Sequence, residues 1–175
     1  RIPPNLADTL LDKRDAVFFD AGRPHMRDAV KRRLEKPLAA FKGRHIWMND
    51  EGPQAEGFAG PLAKRLHAYY VNGGRANFEG FFATLAAELR GQPAPKVADP
   101  FIFPDDAIYH PQAPNQVFAT PAEYFRWRGI DPAKRPPTVA IAFHQIHIGA
   151  EQTTFIAALI TRIEAGRGPA LPYYA

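Results

Sequence analysis

Two histidines and a glutamate follow the last long apolar run of the sequence. His144 and His147 come directly after the segment Thr138–Phe143, and Glu151 stands four residues further on. Imidazole and carboxylate groups bind metal ions, so these side chains could contact a metal or a ligand that carries one. Residues three apart on a continuing strand point to opposite faces, so only a turn after His144 would bring the two rings together. The alternative is two partly exposed histidines at a strand end.

His110 is the other histidine that could do chemistry. It lies in Tyr109-His-Pro-Gln-Ala-Pro114, where the imidazole could serve as an axial ligand or a proton donor. Pro111 and Pro114, which follow it, favour a structural interpretation instead, in which a tyrosine and a histidine are packed in a rigid connector. His25, His45 and His67 are spread through other segments and are interpreted as structural.

The elements around His144 read as strand, loop, helix and strand. Thr138–Phe143 predicts a buried parallel strand, and a loop is expected over 145–152. Apolar residues then recur at helical spacing from Thr153, and Leu171–Tyr174 predicts a second strand despite Pro172. A similar pattern over 15–50 predicts another βαβ unit, with strands at 16–20 and 45–48 and a helix between them that contains Pro37.

The fold class predicted is α/β, with parallel Rossmann- or flavodoxin-like βαβ segments flanking a helical hairpin and a long Pro-rich connector. We predict an α/β segment over 1–52 and a helical hairpin, broken at Gly73-Gly74, over 53–91. A Pro-rich connector follows over 92–136, and 137–175 begins a second α/β lobe. Six prolines and no clear period over 91–114 indicate a functional loop or a surface wrap. Thr120 and Pro121 predict the start of a short aromatic helix inside the connector.

Composition narrows the function classes. The 175 residues carry a net charge of +4 and no cysteine, so disulfides and thiol chemistry are excluded. Basic residues are scattered, which argues against nucleic-acid binding, and no stretch has the length of a membrane span. The glycine patterns of phosphate-binding loops are missing, which argues against a small flavodoxin-like enzyme.

Four segments in order resemble the large subunit shared by cobaltochelatase and magnesium chelatase, where it is the H subunit. The resemblance spans residues 68–175. The segments are Gly73-Gly-Arg-Ala-Asn77, Tyr109-His-Pro-Gln-Ala-Pro114, the aromatic helix Pro121-Ala-Glu-Tyr-Phe-Arg-Trp127, and the strand that opens Pro137-Thr-Val139. The chain departs from the family at His144-Gln145, where Tyr-Arg is common, and at Glu151-Gln152, where Gly with Asn or Asp is common.

The resemblance implies an internal or N-terminal portion of a cytoplasmic, ligase-type subunit that binds a tetrapyrrole and, with ATPase motor subunits, inserts a metal. It implies that ATP and a divalent metal are used by the whole complex, that this portion binds no cofactor, and that alone it is inactive. His144, His147, Glu151 and His110 are the candidate ligand-binding residues, while the catalytic residues are expected in other parts of the subunit.

Cobalt insertion in cobalamin biosynthesis is favoured over magnesium insertion in chlorophyll biosynthesis, because no feature ties the chain to photosynthetic pigments. A non-catalytic scaffold that binds a tetrapyrrole or partner subunits is the alternative.

Overall fold

The structure is a computed structural model that describes residues 9–48, 52–134, 138–166 and 168–175. Its contacts divide the chain into two compact units. The first unit contains Arg1–Asn72 and Ala76–Phe101, and the second contains Gly73–Arg75 and Ile102–Ala175. The predicted connector 92–136 is therefore shared between the units, with the change at residue 101. Pro137, which opens the last family-like segment, lies outside the described residues.

The first unit contains the predicted N-terminal βαβ pattern. Strand β1 (Ala16–Asp20), helix α1 (Pro24–Ala40) and strand β2 (Arg44–Met48) follow in order, and the two strands pair in parallel. The rings of Phe19 and Trp47, which are register partners, stack with centroids 4.2 Å apart. Helix α1 continues through Pro37. The parallel unit predicted over 15–50 is confirmed.

A third strand completes the first sheet. Strand β3 (Gln54–Glu56) pairs antiparallel with β2, although this segment reads as a polar connector. Three residues with polar side chains at both ends are too short to show the period-two pattern of a strand. Pairing with β2, rather than local preference, therefore makes this segment a strand.

Two helices pack on this sheet and form the core of the unit. They are α2 (Gly60–Asn72) and α3 (Arg75–Leu89), joined by the glycine pair as predicted. Their buried residues Leu66, Tyr69 and Phe81 pack with Ile46 of β2. Gly80 admits the Tyr69 ring, because a Cβ at position 80 would lie 2.6 Å from it. The Tyr69 hydroxyl donates a hydrogen bond to the carbonyl of Ala98, which anchors the start of the connector.

The second unit is a four-stranded mixed sheet of order β5-β4-β7-β6. Its strands are β4 (Ala107–Tyr109), β5 (Val117–Phe118), β6 (Val139–Phe143) and β7 (Ala170–Tyr174). Strands β6 and β7 are parallel, and β4 is antiparallel to β5 and β7. The described α-helices of this unit are α4 (Pro121–Arg128), the single turn α5 (Ile146–Gly149) and α6 (Thr154–Gly166), and a 3-10 helix forms at Pro132–Lys134. The predicted C-terminal βαβ unit is confirmed.

Two expectations for this sheet were wrong. The connector supplies β4 and β5, where no strand was expected. Strand β6 is not buried, because β7 takes the inner position between β4 and β6, which leaves β6 at the edge with Val139 49% exposed. The sheet order is set by β4 pairing with β7, a contact between distant parts of the sequence. In the described parts of the chain, no helix has the length and apolarity to cross a bilayer.

Candidate functional site

The segment His144–Gln152, called here the strand-end loop, carries three of the four candidate binding residues. It is more ordered than a simple loop, because α5 forms one helical turn within it. The Nδ1 atom of His144 accepts a hydrogen bond from the backbone N–H of Ile146 (3.1 Å). Ile148 is 1% exposed and anchors the turn in the core of the second unit. The segment therefore has a defined backbone.

The turn places the two histidines at neighbouring positions. The backbone N–H of His147 donates to the carbonyl of His144 (3.1 Å), and residues three apart in a helical turn are neighbours on its surface. His144 is exposed, whereas His147 is half-buried with its ring edge against Phe155, at 5.2 Å between centroids. The buried Nδ1 of His147 has no hydrogen-bond partner among the described residues. The chain therefore turns after His144, which is the condition under which the two rings could come together.

Glu151 is exposed and has a left-handed backbone, with φ of 55°. Glycine takes this conformation readily and other residues rarely do, which agrees with the glycine that family members tend to have here. Across the described ranges, no three His, Asp or Glu side chains are grouped so that they could hold a metal ion. A metal centre built from His144, His147 and Glu151 together is therefore not assembled, and their role in binding a ligand stays a prediction.

The glycine turn Gly73-Gly74 seats against the strand-end loop. The N–H of Gly74 donates to the carbonyl of Gly149 (3.1 Å), and both turn glycines have positive φ, at 62° and 78°. A Cβ at position 73 would lie 2.1 Å from the Gly149 oxygen, which is far inside contact distance. Only glycine combines this backbone conformation with this approach. The family-like Gly-Gly pair therefore positions the loop.

The loop is bound to the segment before β4 and lies near Tyr109 of β4. Gln145 donates through Nε2 to the carbonyl of Pro104 (2.8 Å). Tyr109 of β4 is 1% exposed, and burial raises the pKa of its hydroxyl, with the charge of Glu151 adding to the rise and a hydrogen bond to Thr153 opposing it. Tyr109 therefore remains a neutral phenol beneath Glu151.

His110 lies in a buried cluster, called here the His110 cluster, away from solvent. It is 2% exposed, and Trp127 packs edge-on at 4.9 Å between centroids. The Nδ1 atom accepts the backbone N–H of Gln112 (3.2 Å), so the neutral ring carries its proton on Nε2. That nitrogen faces the carboxylate of Glu164 at 3.8 Å, and Arg128 pairs with the same oxygen at 2.7 Å.

The electrostatics of the His110 cluster favour a neutral imidazole. Burial lowers the pKa of His110, Glu164 opposes the shift, and Arg128 adds to it. Beside it, burial raises the pKa of Tyr124 to about 12, with Glu164 adding to the rise and Arg128 opposing it. The Tyr124 hydroxyl donates to the carbonyl of Ala170 (2.7 Å). These contacts are those of a packed connector, which is the structural interpretation favoured by Pro111 and Pro114. Direct contact between His110 and a ligand stays a prediction.

The short aromatic helix presents Tyr124 and Trp127 to this cluster. The Thr120 side chain accepts the N–H of Glu123 (3.2 Å), and Gly129 ends the helix with φ of 69°. The N-cap and first-turn proline expected from sequence are confirmed. This capped helix packs the rings of Tyr124 and Trp127 against His110.

Three residues that matter here were not singled out from the sequence. Gly149, Glu164 and Arg128 act through partners far along the chain, so no local pattern marks them. Asn77, which ends the first family-like segment, also had a local signal, since asparagine is unfavourable inside a helix unless its amide has a partner. Its side chain is 3% exposed and pairs with Phe101, accepting from the N–H (2.8 Å) and donating to the carbonyl (2.7 Å). The Asn77 amide therefore pairs with both backbone groups of Phe101, as a neighbouring strand would, and holds this part of the connector in place.

Comparison with known proteins identifies a sequence family and a similar solved structure. A sequence model of the family described as CobN/Magnesium Chelatase matches residues 67–175, more than half of the 175 residues. Among solved structures, the catalytic subunit of cobaltochelatase from Mycobacterium tuberculosis is similar, with a TM-score of 0.66 and 19% identity. The match covers 100% of this chain and 14% of that chain, and at this identity it shows the fold. No curated protein sequence matches.

Replacing Gly73 with alanine should destabilise the second unit. The left-handed backbone and the 2.1 Å approach to Gly149 both disfavour a Cβ, and together they should cost about 2–4 kcal/mol. Urea denaturation measures the loss. Gly166→Ala is the matched control, because no atom lies within 4 Å of a Cβ at that position of α6. Equal stability of the two variants would contradict the docking role of Gly73.

Stability should fall with acidification because of His110. The pKa of His110 in the folded chain lies below the ordinary histidine value. As the pH drops below about 6.5, His110 is therefore protonated in the unfolded chain but stays neutral in the folded chain. The free energy of unfolding therefore decreases from that pH downward, until the pH reaches the folded pKa. His110→Gln, which keeps a neutral donor and acceptor, should remove part of this decrease in denaturation curves, whereas His144→Gln at an exposed position should retain it. A His110→Gln variant with the full decrease would show that the acid sensitivity arises elsewhere.

Proposed function

The chain belongs to the CobN/magnesium chelatase family, and we propose that it is a portion of the large, tetrapyrrole-binding subunit of an ATP-dependent metal chelatase. The match of residues 67–175 carries this proposal, because it includes the glycine turn, the strand-end loop and the His110 cluster. The fold adds support, since the whole chain superposes on 14% of a cobaltochelatase catalytic subunit.

Cobalt insertion into a corrin precursor, within cobalamin biosynthesis, is the favoured activity of the parent subunit. The structural relative is itself named a cobaltochelatase subunit, and no feature of the sequence ties it to chlorophyll. Magnesium insertion by an H-type subunit is the second candidate. In either case the metal ion is a substrate, ATP is consumed by separate motor subunits, and the complex works in the cytoplasm.

The strand-end loop is the part of this chain that we assign to tetrapyrrole contact. His144 and Glu151 are exposed, and Phe155 beside His147 is 51% exposed, so polar and apolar groups are presented together. A flat macrocycle needs apolar surface for its faces and polar groups at its edge. Histidine can also accept a proton that metal insertion displaces from a pyrrole nitrogen. A rigid backbone beneath these side chains would hold them against a distorted ring.

Absorbance titration with a free-base porphyrin that carries carboxylates tests this assignment. The double variant His144→Ala, His147→Ala should bind at least about tenfold more weakly, which corresponds to about 1.4 kcal/mol. His25→Ala, at an exposed position of the first unit, should bind as the unaltered chain does. A melting curve for each variant separates lost contact from lost folding. Unchanged affinity of the folded double variant would overturn the strand-end assignment.

The size of the native gene product tests whether the chain is a portion of a large subunit. An antibody raised to this chain should detect a product several times heavier than 19.5 kDa in cell extract, because the related subunit is much longer than the matched part. A product near 19.5 kDa would contradict the proposal and favour the alternative, a small scaffold module that binds a tetrapyrrole or a partner.

A further inference from the structure

A cavity in the first unit is separate from both groups of residues described above. Its volume is about 630 Å³, within the usual range of roughly 300–1,000 Å³ for small-molecule sites. It lies between the turn 11–14, the C-terminal end of α1 and the segment 41–43. All of these elements belong to the first unit, whereas the strand-end loop and the His110 cluster belong to the second.

Four basic residues line this cavity, together with one acidic residue, Asp12. The basic residues are Lys13, Arg14, Lys36 and Lys42. None of the four forms an ion pair with a carboxylate within the described part of the chain. Positive charges that converge on a concave surface without local neutralisation raise the potential there and attract anions.

The floor of the cavity is apolar and closely packed. Leu11 is 5% exposed, and Pro37 and Phe41 are half-buried. Gly43 allows the chain to pass against the Phe41 ring, because a Cβ there would lie 2.4 Å from the ring and 2.6 Å from the Arg14 carbonyl. The cavity therefore offers a fixed apolar surface inside a rim of positive charge.

Lys13 is held in an unusual conformation at this rim. Its φ is 52°, in the left-handed region that costs a non-glycine residue about 1–2 kcal/mol. Such residues concentrate at binding and catalytic sites, where the surrounding structure holds them. A glycine would relieve the strain but would remove the ammonium group from the cavity.

We propose that this cavity binds a small polyanion with a flat apolar body. Its acidic groups would pair with the four basic side chains, and its body would lie on Leu11, Pro37 and Phe41. Two sources share this chemistry: the carboxylates of an acidic tetrapyrrole and the phosphates of a nucleotide. The site is independent of the strand-end loop, so it stands whether or not that loop binds the ring.

Fluorescence titration of the full chain with pyrenetetrasulfonate, a flat apolar tetra-anion, tests the proposal. Binding should saturate, and affinity should fall as salt screens the charges. The variant Lys36→Gln, Lys42→Gln should bind about tenfold or more weakly. Arg32→Gln, Arg33→Gln removes the same amount of charge from exposed positions of α1 outside the cavity, and its affinity should change less than about threefold. Equal losses in the two variants, or no saturable binding, would overturn the proposal.

Lys13→Gly separates binding from folding. The variant should melt at the same temperature or higher, because the backbone strain is relieved, yet bind the probe severalfold more weakly. A variant that binds normally would show that Lys13 does not contact a ligand.

Competition for the probe identifies the class of the ligand. Displacement of the probe by ATP indicates a nucleotide. Displacement by a tetracarboxylate porphyrin, undiminished in the His144→Ala, His147→Ala variant, indicates a tetrapyrrole. Failure of both to displace the probe would contradict the inferred ligand class.

Discussion

The contact of the Gly73-Gly74 turn with the carbonyl of Gly149 fixes the strand-end loop. A single neutral hydrogen bond contributes only about 1 kcal/mol, so the bond from Gly74 does not position the loop by itself. The steric condition is stronger, because the two backbones are so close that no Cβ fits at position 73. With Ile148 buried below and Gln145 bound to Pro104, the loop presents its histidines on a backbone with little freedom, as binding loops on rigid scaffolds do.

The motifs that carry the family resemblance have structural explanations. The glycine pair docks the loop, Asn77 substitutes for a strand partner at Phe101, and His110 fills a buried position opposite Glu164. Of the four residues at which the chain departs from the family, His144, Glu151 and Gln152 are instead exposed at the loop, whereas Gln145 binds the carbonyl of Pro104. A scaffold held by one set of residues and a surface formed by another allows the ligand to vary without a change of fold.

Sequence reasoning succeeded where the signal was local and long enough. Both βαβ units, the helices around the glycine pair and the capped aromatic helix follow from period and capping residues. Strands β3, β4 and β5 are two or three residues long, which is too short for an alternating pattern. They exist because another strand pairs with them, and for β4 one of these partners, β7, is far along the chain. The basic cavity could not be predicted for a similar reason. Lys13 and Lys42 are far apart in sequence, and the parallel pairing of β1 with β2 brings the segments before these strands together.

The edge position of β6 affects how the polypeptide associates with other molecules. In the described part of the chain β6 pairs with β7 alone, so its outer row of backbone N–H and carbonyl groups is available to another strand. A parallel strand is normally covered on both sides, and an apolar edge such as the one with Val139 is a template for pairing between molecules. At high concentration two copies of this polypeptide would tend to join along β6, so its behaviour in solution depends on whether a neighbouring strand occupies that edge.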